Sequence, residues 1–253
     1  MNLSTLYHYT LITSFALSLV VFIVLFFISA PYGRHMRKGW GPLISNRLGW
    51  LVMEAPSPLL MLILFLIGGA QNNIILVIFL FLWQAHYIHR AFIYPFMISD
   101  GQKRMPLGVV MMAFLFNLVN GFLNGYYLFI KSNLYSLDWL KDPHFLVGLS
   151  IFLVGFVINR WADRVLQNLR KTGEKGYKIP HGGLYAWVSC PNYFGEIIEW
   201  FGWAIATWSL PGLCFAIWTL VNLAPRARSH HAWYQENFPL YPPDRKALIP
   251  GVW

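Results

Sequence analysis

The chain runs five times through about twenty residues that are nearly free of charge, at 9–30, 50–70, 73–96, 106–130 and 145–165. A longer apolar stretch follows at 194–225. A helix that spans a bilayer needs roughly 20 mostly apolar residues. The fifth run is apolar only as far as Ile158 and amphipathic beyond it. The last stretch is interrupted by Ser209-Leu210-Pro211-Gly212, and Pro beside Gly marks a turn. It therefore divides into two short helices, 194–209 and 211–225, joined as a hairpin. Only 11% of the 253 residues are charged, while 57% are hydrophobic. Soluble domains carry about 25% charged residues, which argues against a soluble globular enzyme, a disordered chain or a fibrous repeat. The expected fold class is all-α: an integral membrane bundle of seven transmembrane helices, forming one domain over residues 1–253.

The charges between the runs give an orientation. Basic segments hold Arg34, Arg37, Lys38 and Arg47, then Lys103 and Arg104, then Arg164, Arg170, Lys171, Lys175 and Lys178, then Arg226, Arg228, Arg245 and Lys246. They alternate with poor segments such as Gln71-Asn72-Asn73. Basic loops stay cytoplasmic, so seven spans put the N-terminus outside and the C-terminus in the cytoplasm. The net charge of +9 is too dispersed to track phosphates on a nucleic acid. No signal peptide is expected, because the first residues lack a basic region and the apolar run after them is long enough to span. Cys190 and Cys214 cannot build a disulfide scaffold or a four-thiolate metal site. The expected location is a multi-pass membrane protein, in a bacterial inner membrane or the endoplasmic reticulum, with no obligate protein partner evident.

Glu54, Arg90, Arg160, Asp163, Glu196 and Glu199 lie in or near the apolar runs. Each charge at a bilayer centre costs about 2.5–3.5 kcal/mol even on lenient scales, so these side chains must face one another or a wet interior. Steps of three, four and seven return a side chain to one helix face. Such steps link Trp83, Tyr87, Arg90 and Tyr94; Asn159, Asp163 and Arg170; Asn192, Glu196 and Glu199; and Asn222, Arg226, His230 and Tyr234. A hydrogen-bond network that locks helices together would explain one such stripe. Four stripes favour a lined cavity. Arg170, Lys178, Arg226, His230, Arg245 and Lys103 or Arg104, with the amides of Asn159 and Asn192, suit a phosphorylated nucleotide at a cytoplasmic mouth. There is no GxGxxG turn after a strand and no GxxxxGK[ST], so neither a Rossmann fold nor a P-loop is supported. Deeper in, Glu54 and Tyr87 suit a donor pair for a developing oxyanion, although a helix cap and a core aromatic would also account for them.

Four function classes suit this pattern: an enone reductase, an S-adenosylmethionine-dependent methyltransferase of a membrane lipid, a histidine-cluster diiron oxygenase and a small-molecule transporter. The eight histidines contain no HxxxH, and His230-His231 lacks the preceding histidine of an HxxHH, so no metal site is expected. No internal symmetry supports a transporter. Longer motifs separate the first two classes. They are His86-Tyr87-Ile88-His89-Arg90, Leu169-Arg170-Lys171-x-Gly173-Glu174, Asn192-Tyr193-Phe194-Gly195-Glu196-Ile197-Ile198-Glu199-Trp200, Ala206-Thr207-Trp208-Ser209-Leu210-Pro211 and Arg245-Lys246-Ala247-Leu248-Ile249-Pro250. From about residue 32 to the C-terminus the chain resembles the steroid 5α-reductase family. Prenylcysteine methyltransferases share the Leu184-Tyr185…Pro191-x-Tyr193-x-Gly195 pattern, but they carry Arg-His before that proline, where this chain has Ser189-Cys190.

The resemblance implies a seven-helix reductase of 3-oxo-Δ4 steroids or similar enone lipids that uses NADPH. It implies Glu54 and Tyr87 at the C3 carbonyl, with Trp50 also on the substrate side. The cofactor contacts it suggests are Tyr32, Arg90, Tyr94, Asn159, Asp163, Arg170, Tyr177, Lys178, Asn192, Glu196, Arg226, His230, Tyr234 and Arg245. The segment 98–105 is two residues longer than in relatives, so its phosphate contact is Lys103 or Arg104. Lys178 stands where relatives often have arginine.

Overall fold

A computed structural model describes residues 2–31, 33–98, 103–169 and 176–253. Nine α-helices lie within those residues: α1 Leu3–Phe27, α2 Asn46–Glu54, α3 Pro56–Ile67, α4 Ile74–Ile88, α5 Tyr94–Met97, α6 Leu107–Tyr126, α7 Pro143–Asn168, α8 Pro191–Thr207 and α9 Leu210–Asn237. Among the described residues, five helical segments are long and apolar enough to cross a membrane: Leu3–Phe27, Asn46–Ile67, Ile74–Met97, Leu107–Lys131 and Pro143–Asn168. The second segment begins before the expected residue 50 and is broken at Ala55, between α2 and the proline that opens α3. The third passes through a π-helical turn at His89–Ile93, which inserts a residue into the helical ladder and rotates the turn C-terminal to it.

One departure from an all-helical chain is a short antiparallel pair, β1 Leu43–Ser45 with β2 Arg104–Pro106, in the register Ile44↔Met105. It ties the segment before α2 to the segment before α6. Three-residue strands leave too little alternation in a sequence to be read.

Caps account for several helix starts. The Asn73 side chain accepts from the amides of Ile75 and Leu76 at the head of α4 and donates to the Tyr135 carbonyl at 2.6 Å. The Ser209 hydroxyl accepts from the Gly212 amide at 3.1 Å and opens α9. Trp208 just before it takes a left-handed φ of 44°, so the hairpin turn falls where Ser209-Leu210-Pro211-Gly212 indicated. α9 then continues to Asn237, well past residue 225.

Helix association gains little from hydrophobicity in lipid, because acyl chains are as apolar as leucine; close packing takes over. α7 and α8 run antiparallel with glycines facing backbone. A Cβ on Gly155 would lie 2.2 Å from the Glu199 amide nitrogen, and one on Gly202 would lie 2.2 Å from that of Phe152. Around this seam, Phe79, Trp83, Phe152, Trp200 and Trp203 are fully buried and meet edge-on or tilted at centroid distances of 5.2–6.4 Å. α1 stands outside this core and buries only the narrow stripe Tyr7, Leu11, Ser14 and Ser18, with the Trp218 indole of α9 donating to the Ser14 carbonyl at 3.0 Å.

Candidate active site

Two neighbouring polar groups fill the middle of the bundle. The first joins the end of α2 to α4 through α6. Asn117 of α6 donates to the Met53 carbonyl at 2.7 Å and to the Glu54 carboxyl at 3.1 Å. One helical turn on, Asn120 donates to the Tyr87 hydroxyl at 3.4 Å. Glu54 and Tyr87, which come from different helices, thus end on adjacent positions of the same face. His86 beside Tyr87 meets Glu199 of α8 at 2.8 Å, with both side chains buried.

The second group is built on the glycine-packed pair. The Arg90 guanidinium, in the π-helical turn, reaches Asp163 at 3.3 Å and Glu196 at 4.0 Å. Asn192 donates to the other Asp163 oxygen at 3.1 Å. Asn159 donates to the Asn192 carbonyl at 3.0 Å and to Glu196 at 3.3 Å. The Trp50 and Tyr94 rings flank the Arg90 guanidinium, at 4.7 and 4.9 Å. Trp50, expected on the substrate side, therefore touches Arg90, expected on the cofactor side. Arg160 pairs instead with His89.

From Asp163 and Tyr94 a cavity of about 160 Å³ continues outward, with Arg34, Gln167, Tyr177, Lys178 and Tyr234 in its wall. The Arg34 guanidinium carbon lies 4.6–4.7 Å from the centroids of Tyr177, Trp233 and Tyr234, and its Nη1 is buried with no hydrogen-bond partner among the described residues. The Lys103 ammonium sits 4.9 Å from the Tyr177 ring centroid, while Arg104 lies in β2 opposite Ser45.

Arg226 falls on a separate, smaller cavity, and His230 meets the lining of that cavity through His35. Arg226 lines a space of about 50 Å³ with His35, Asn222 and Ser229. His230 bridges His35 at 3.2 Å and the Tyr193 hydroxyl at 3.1 Å. Burial, then the Arg34 and Arg37 charges, holds His35 below the ordinary imidazole range. Burial, then Arg34 and Arg226, holds His230 well below it. Arg245 is buried under Tyr241 at 4.9 Å, and its Nε and Nη1 have no hydrogen-bond partner among the described residues. Burial pushes the neighbouring Cys190 thiol up to about 12. Tyr32 and Arg170, both assigned to the cofactor, lie outside the described residues, as does most of the Leu169-Arg170-Lys171-x-Gly173-Glu174 motif.

Sequence reasoning did not single out Arg34, which it counted as loop charge, nor Asn117, Asn120 and Asn124. The three asparagines follow steps of three and four within the fourth apolar run, the same signal that marked the other stripes. Among the described residues no group of three or more histidine, cysteine or carboxylate side chains could hold a metal ion.

A family model described as 3-oxo-5-alpha-steroid 4-dehydrogenase matches residues 103–253. A steroid 5-alpha-reductase of Gossypium hirsutum is 45% identical over 98% of each chain. A 3-oxo-5-alpha-steroid 4-dehydrogenase 1 of Bos taurus is 43% identical over 93% of this chain and 92% of its own. The Homo sapiens protein of the same name is 44% identical over 88% of this chain and 86% of its own. Nothing in these matches supports the methyltransferase alternative. With this identity sustained over nearly its whole length, the chain belongs to the steroid 5α-reductase, or 3-oxo-5α-steroid 4-dehydrogenase, family.

Proposed function

We propose that this chain is a membrane-embedded reductase of the Δ4 double bond of 3-oxo steroids or similar enone lipids, and that Glu54 and Tyr87 polarise the C3 carbonyl. The observation that carries this reading is the convergence of those two side chains on Asn117 and Asn120 of one helix face. Family membership supplies the reaction class. The seven-span arrangement, as one domain with a cytoplasmic C-terminus, goes with the proposal; α8 and α9 then form the last two crossings.

The residues present fit NADPH. Buried guanidinium donors on Arg34 and Arg245 that have no partner among the described residues suit phosphate oxygens, because an unpaired buried donor carries an uncompensated desolvation cost that an anion relieves. The cavity of about 160 Å³ lies below the roughly 300–1,000 Å³ of whole ligand pockets and suits one end of a dinucleotide. Lys103, Tyr177, Lys178 and Tyr234 would hold that end. Arg90, Tyr94, Asn159, Asp163, Asn192 and Glu196 would hold the part nearer Glu54, and Arg226, His230 and Arg245 would close the site from α9 and the C-terminal segment. When bound, NADPH supplies a hydride to C5 of the enone.

The chain's own part is electrostatic. As negative charge builds on the C3 oxygen, the acid form of Glu54 and the Tyr87 hydroxyl donate hydrogen bonds to it. In a water-poor interior such bonds act at low dielectric and need no reorganisation. C4 then takes a proton from water, which completes the saturated ketone. Loss of one oxyanion donor costs about 2.7–4 kcal/mol in the barrier. Tyr87→Phe is therefore expected to cut turnover of progesterone or testosterone by two to three orders of magnitude and to leave NADPH binding unchanged. Reduced steroid is the readout, with S-adenosylmethionine as a control cosubstrate. Wild-type turnover in Tyr87→Phe refutes the assignment.

A further inference from the structure

The Tyr87 hydroxyl does not stand alone. A chain of buried polar side chains runs behind it from α8 through α6. The Trp203 indole nitrogen lies 3.0 Å from Asn124 Oδ1. Asn124 Nδ2 lies 3.0 Å from Asn120 Oδ1 and also reaches the Asn120 carbonyl at 3.1 Å. Asn120 Nδ2 lies 3.4 Å from the Tyr87 hydroxyl. All four side chains are at most 5% exposed.

The direction of this chain is fixed by its first member. An indole N–H can only donate. Asn124 must therefore turn its oxygen toward Trp203, since the flipped amide would set donor against donor. Its NH2 then faces Asn120, which must answer with its own oxygen by the same rule. That leaves the Asn120 NH2 toward Tyr87. The tyrosine oxygen is thus supplied with a donor, and its own proton is left for the buried Ser57 hydroxyl of α3, which adjoins it, or for a bound ketone that takes the place of Ser57 as acceptor.

We propose that Trp203, Asn124 and Asn120 form a one-way hydrogen-bond relay that aims the Tyr87 proton at the substrate ketone, with Asn120 as the positioning residue. The proposal rests on the assignment of Tyr87 to the C3 carbonyl. The relay does two things. It denies the Tyr87 proton the Asn120 oxygen as an alternative acceptor. It also polarises the phenol, since a hydroxyl that accepts a hydrogen bond becomes a stronger donor. No proton moves along the chain; only its orientation is transmitted.

The test is a double-mutant cycle on full-length protein in detergent or bilayer, with kcat, steroid KM and NADPH affinity measured for each variant. Asn120→Ala is expected to lower kcat about tenfold, the worth of one buried hydrogen bond, with NADPH affinity unchanged. In a Tyr87→Phe background the same substitution is expected to cost nothing further, because no phenol proton remains to be aimed. A merely structural role for Asn120 predicts the same loss in both backgrounds, and that result overturns the relay. An unchanged kcat for Asn120→Ala in the wild-type background overturns it too. If Asn120→Ala does not fold, Trp203→Phe keeps most of the ring packing, removes the fixed donor and enters the same cycle, with a kcat loss of a few-fold expected only when Tyr87 is present. Full turnover in Tyr87→Phe alone refutes the Tyr87 assignment and removes the relay with it. An impaired Tyr87→Phe with equal Asn120→Ala losses refutes the relay only.

Discussion

Gly155→Ala puts the seam between α7 and α8 to a quantitative test. The added Cβ would sit 2.2 Å from the Glu199 nitrogen, 2.6 Å from its Cα and 2.6 Å from the Gly195 carbonyl oxygen. All three are backbone atoms, so no side chain can swing aside. The first contact falls about 1.2 Å short of the 3.4 Å of ordinary packing, and the helices must separate by that order. The Asn159–Asn192, Asn159–Glu196 and Asn192–Asp163 hydrogen bonds span the same seam at 3.0, 3.3 and 3.1 Å. Even half the displacement carries them beyond bonding distance. Interhelical hydrogen bonds in membranes average about 0.6 kcal/mol and overpacking costs about 1–3 kcal/mol, so the loss is about 3–5 kcal/mol. The assay is thermal unfolding in detergent together with NADPH affinity by fluorescence. The expected results are a melting point lowered by several degrees and an affinity weakened at least tenfold. Gly148→Ala meets an equal clash against Ala206 but lies about three helical turns from Asn159. It is expected to destabilise the protein to a similar degree with a smaller effect on NADPH. Val157→Ala, on the exposed face of α7, is the neutral control. A Gly155→Ala protein with wild-type melting point and NADPH affinity refutes the reasoning.

Arg34→Gln keeps a polar side chain but removes the guanidinium from its three-ring cage. A charge-assisted hydrogen bond is worth about 1.5–3 kcal/mol, so NADPH affinity is expected to fall ten- to a hundredfold and to lose part of its salt dependence. Equal affinity at low and high salt for both proteins would remove Arg34 from the cofactor site. His35 and His230 are both held below the ordinary imidazole range, so below about pH 6.5 the unfolded chain binds more protons than the folded one. Stability is thus complete above that pH and is lost as pH falls. Melting points at pH 7.5, 6.5 and 5.5 are expected to decline in that order, with a shallower decline in His230→Asn; an unchanged slope rejects the role of this pair.

The parts of the fold and of the candidate site that the residues announce are those in which charge interrupts grease. Asp163, Arg90 and Glu196 stand out because a bilayer penalises each of them, and their helical spacing puts them on faces that do meet. Asn117, Asn120 and Asn124 escape notice for the converse reason. An amide lowers the hydropathy of a run only slightly, and Leu107–Lys131 still reads as an apolar span. What they cost is realised only when buried, and burial is a property of the packed bundle. Arg34 is hidden differently: a basic residue after a span is the ordinary mark of a cytoplasmic loop, and only the ring positions of Tyr177, Trp233 and Tyr234 separate it from its neighbours.

The glycines connect these two kinds of residue. Gly148 and Gly155 on one helix, and Gly195 and Gly202 on the other, are each seven apart, the interval that keeps one face toward a partner. Where that face is bare of Cβ, two backbones come close enough for short side chains to bond across the seam. Asparagine and aspartate have a short reach, which suits the bonds that Asn159, Asp163 and Asn192 make across the seam. The choice of small amides and carboxylates beside the glycines is therefore one device with the glycines themselves. Asn120 and Asn124 extend it to α6, where Gly121 and Gly125 lie against Leu60 and Leu64 of α3. In an interior that hydrophobicity alone cannot draw together, the close approach of backbones is what lets a short polar side chain be both buried and satisfied, and so lets the bundle hold Tyr87 and Glu54 in place.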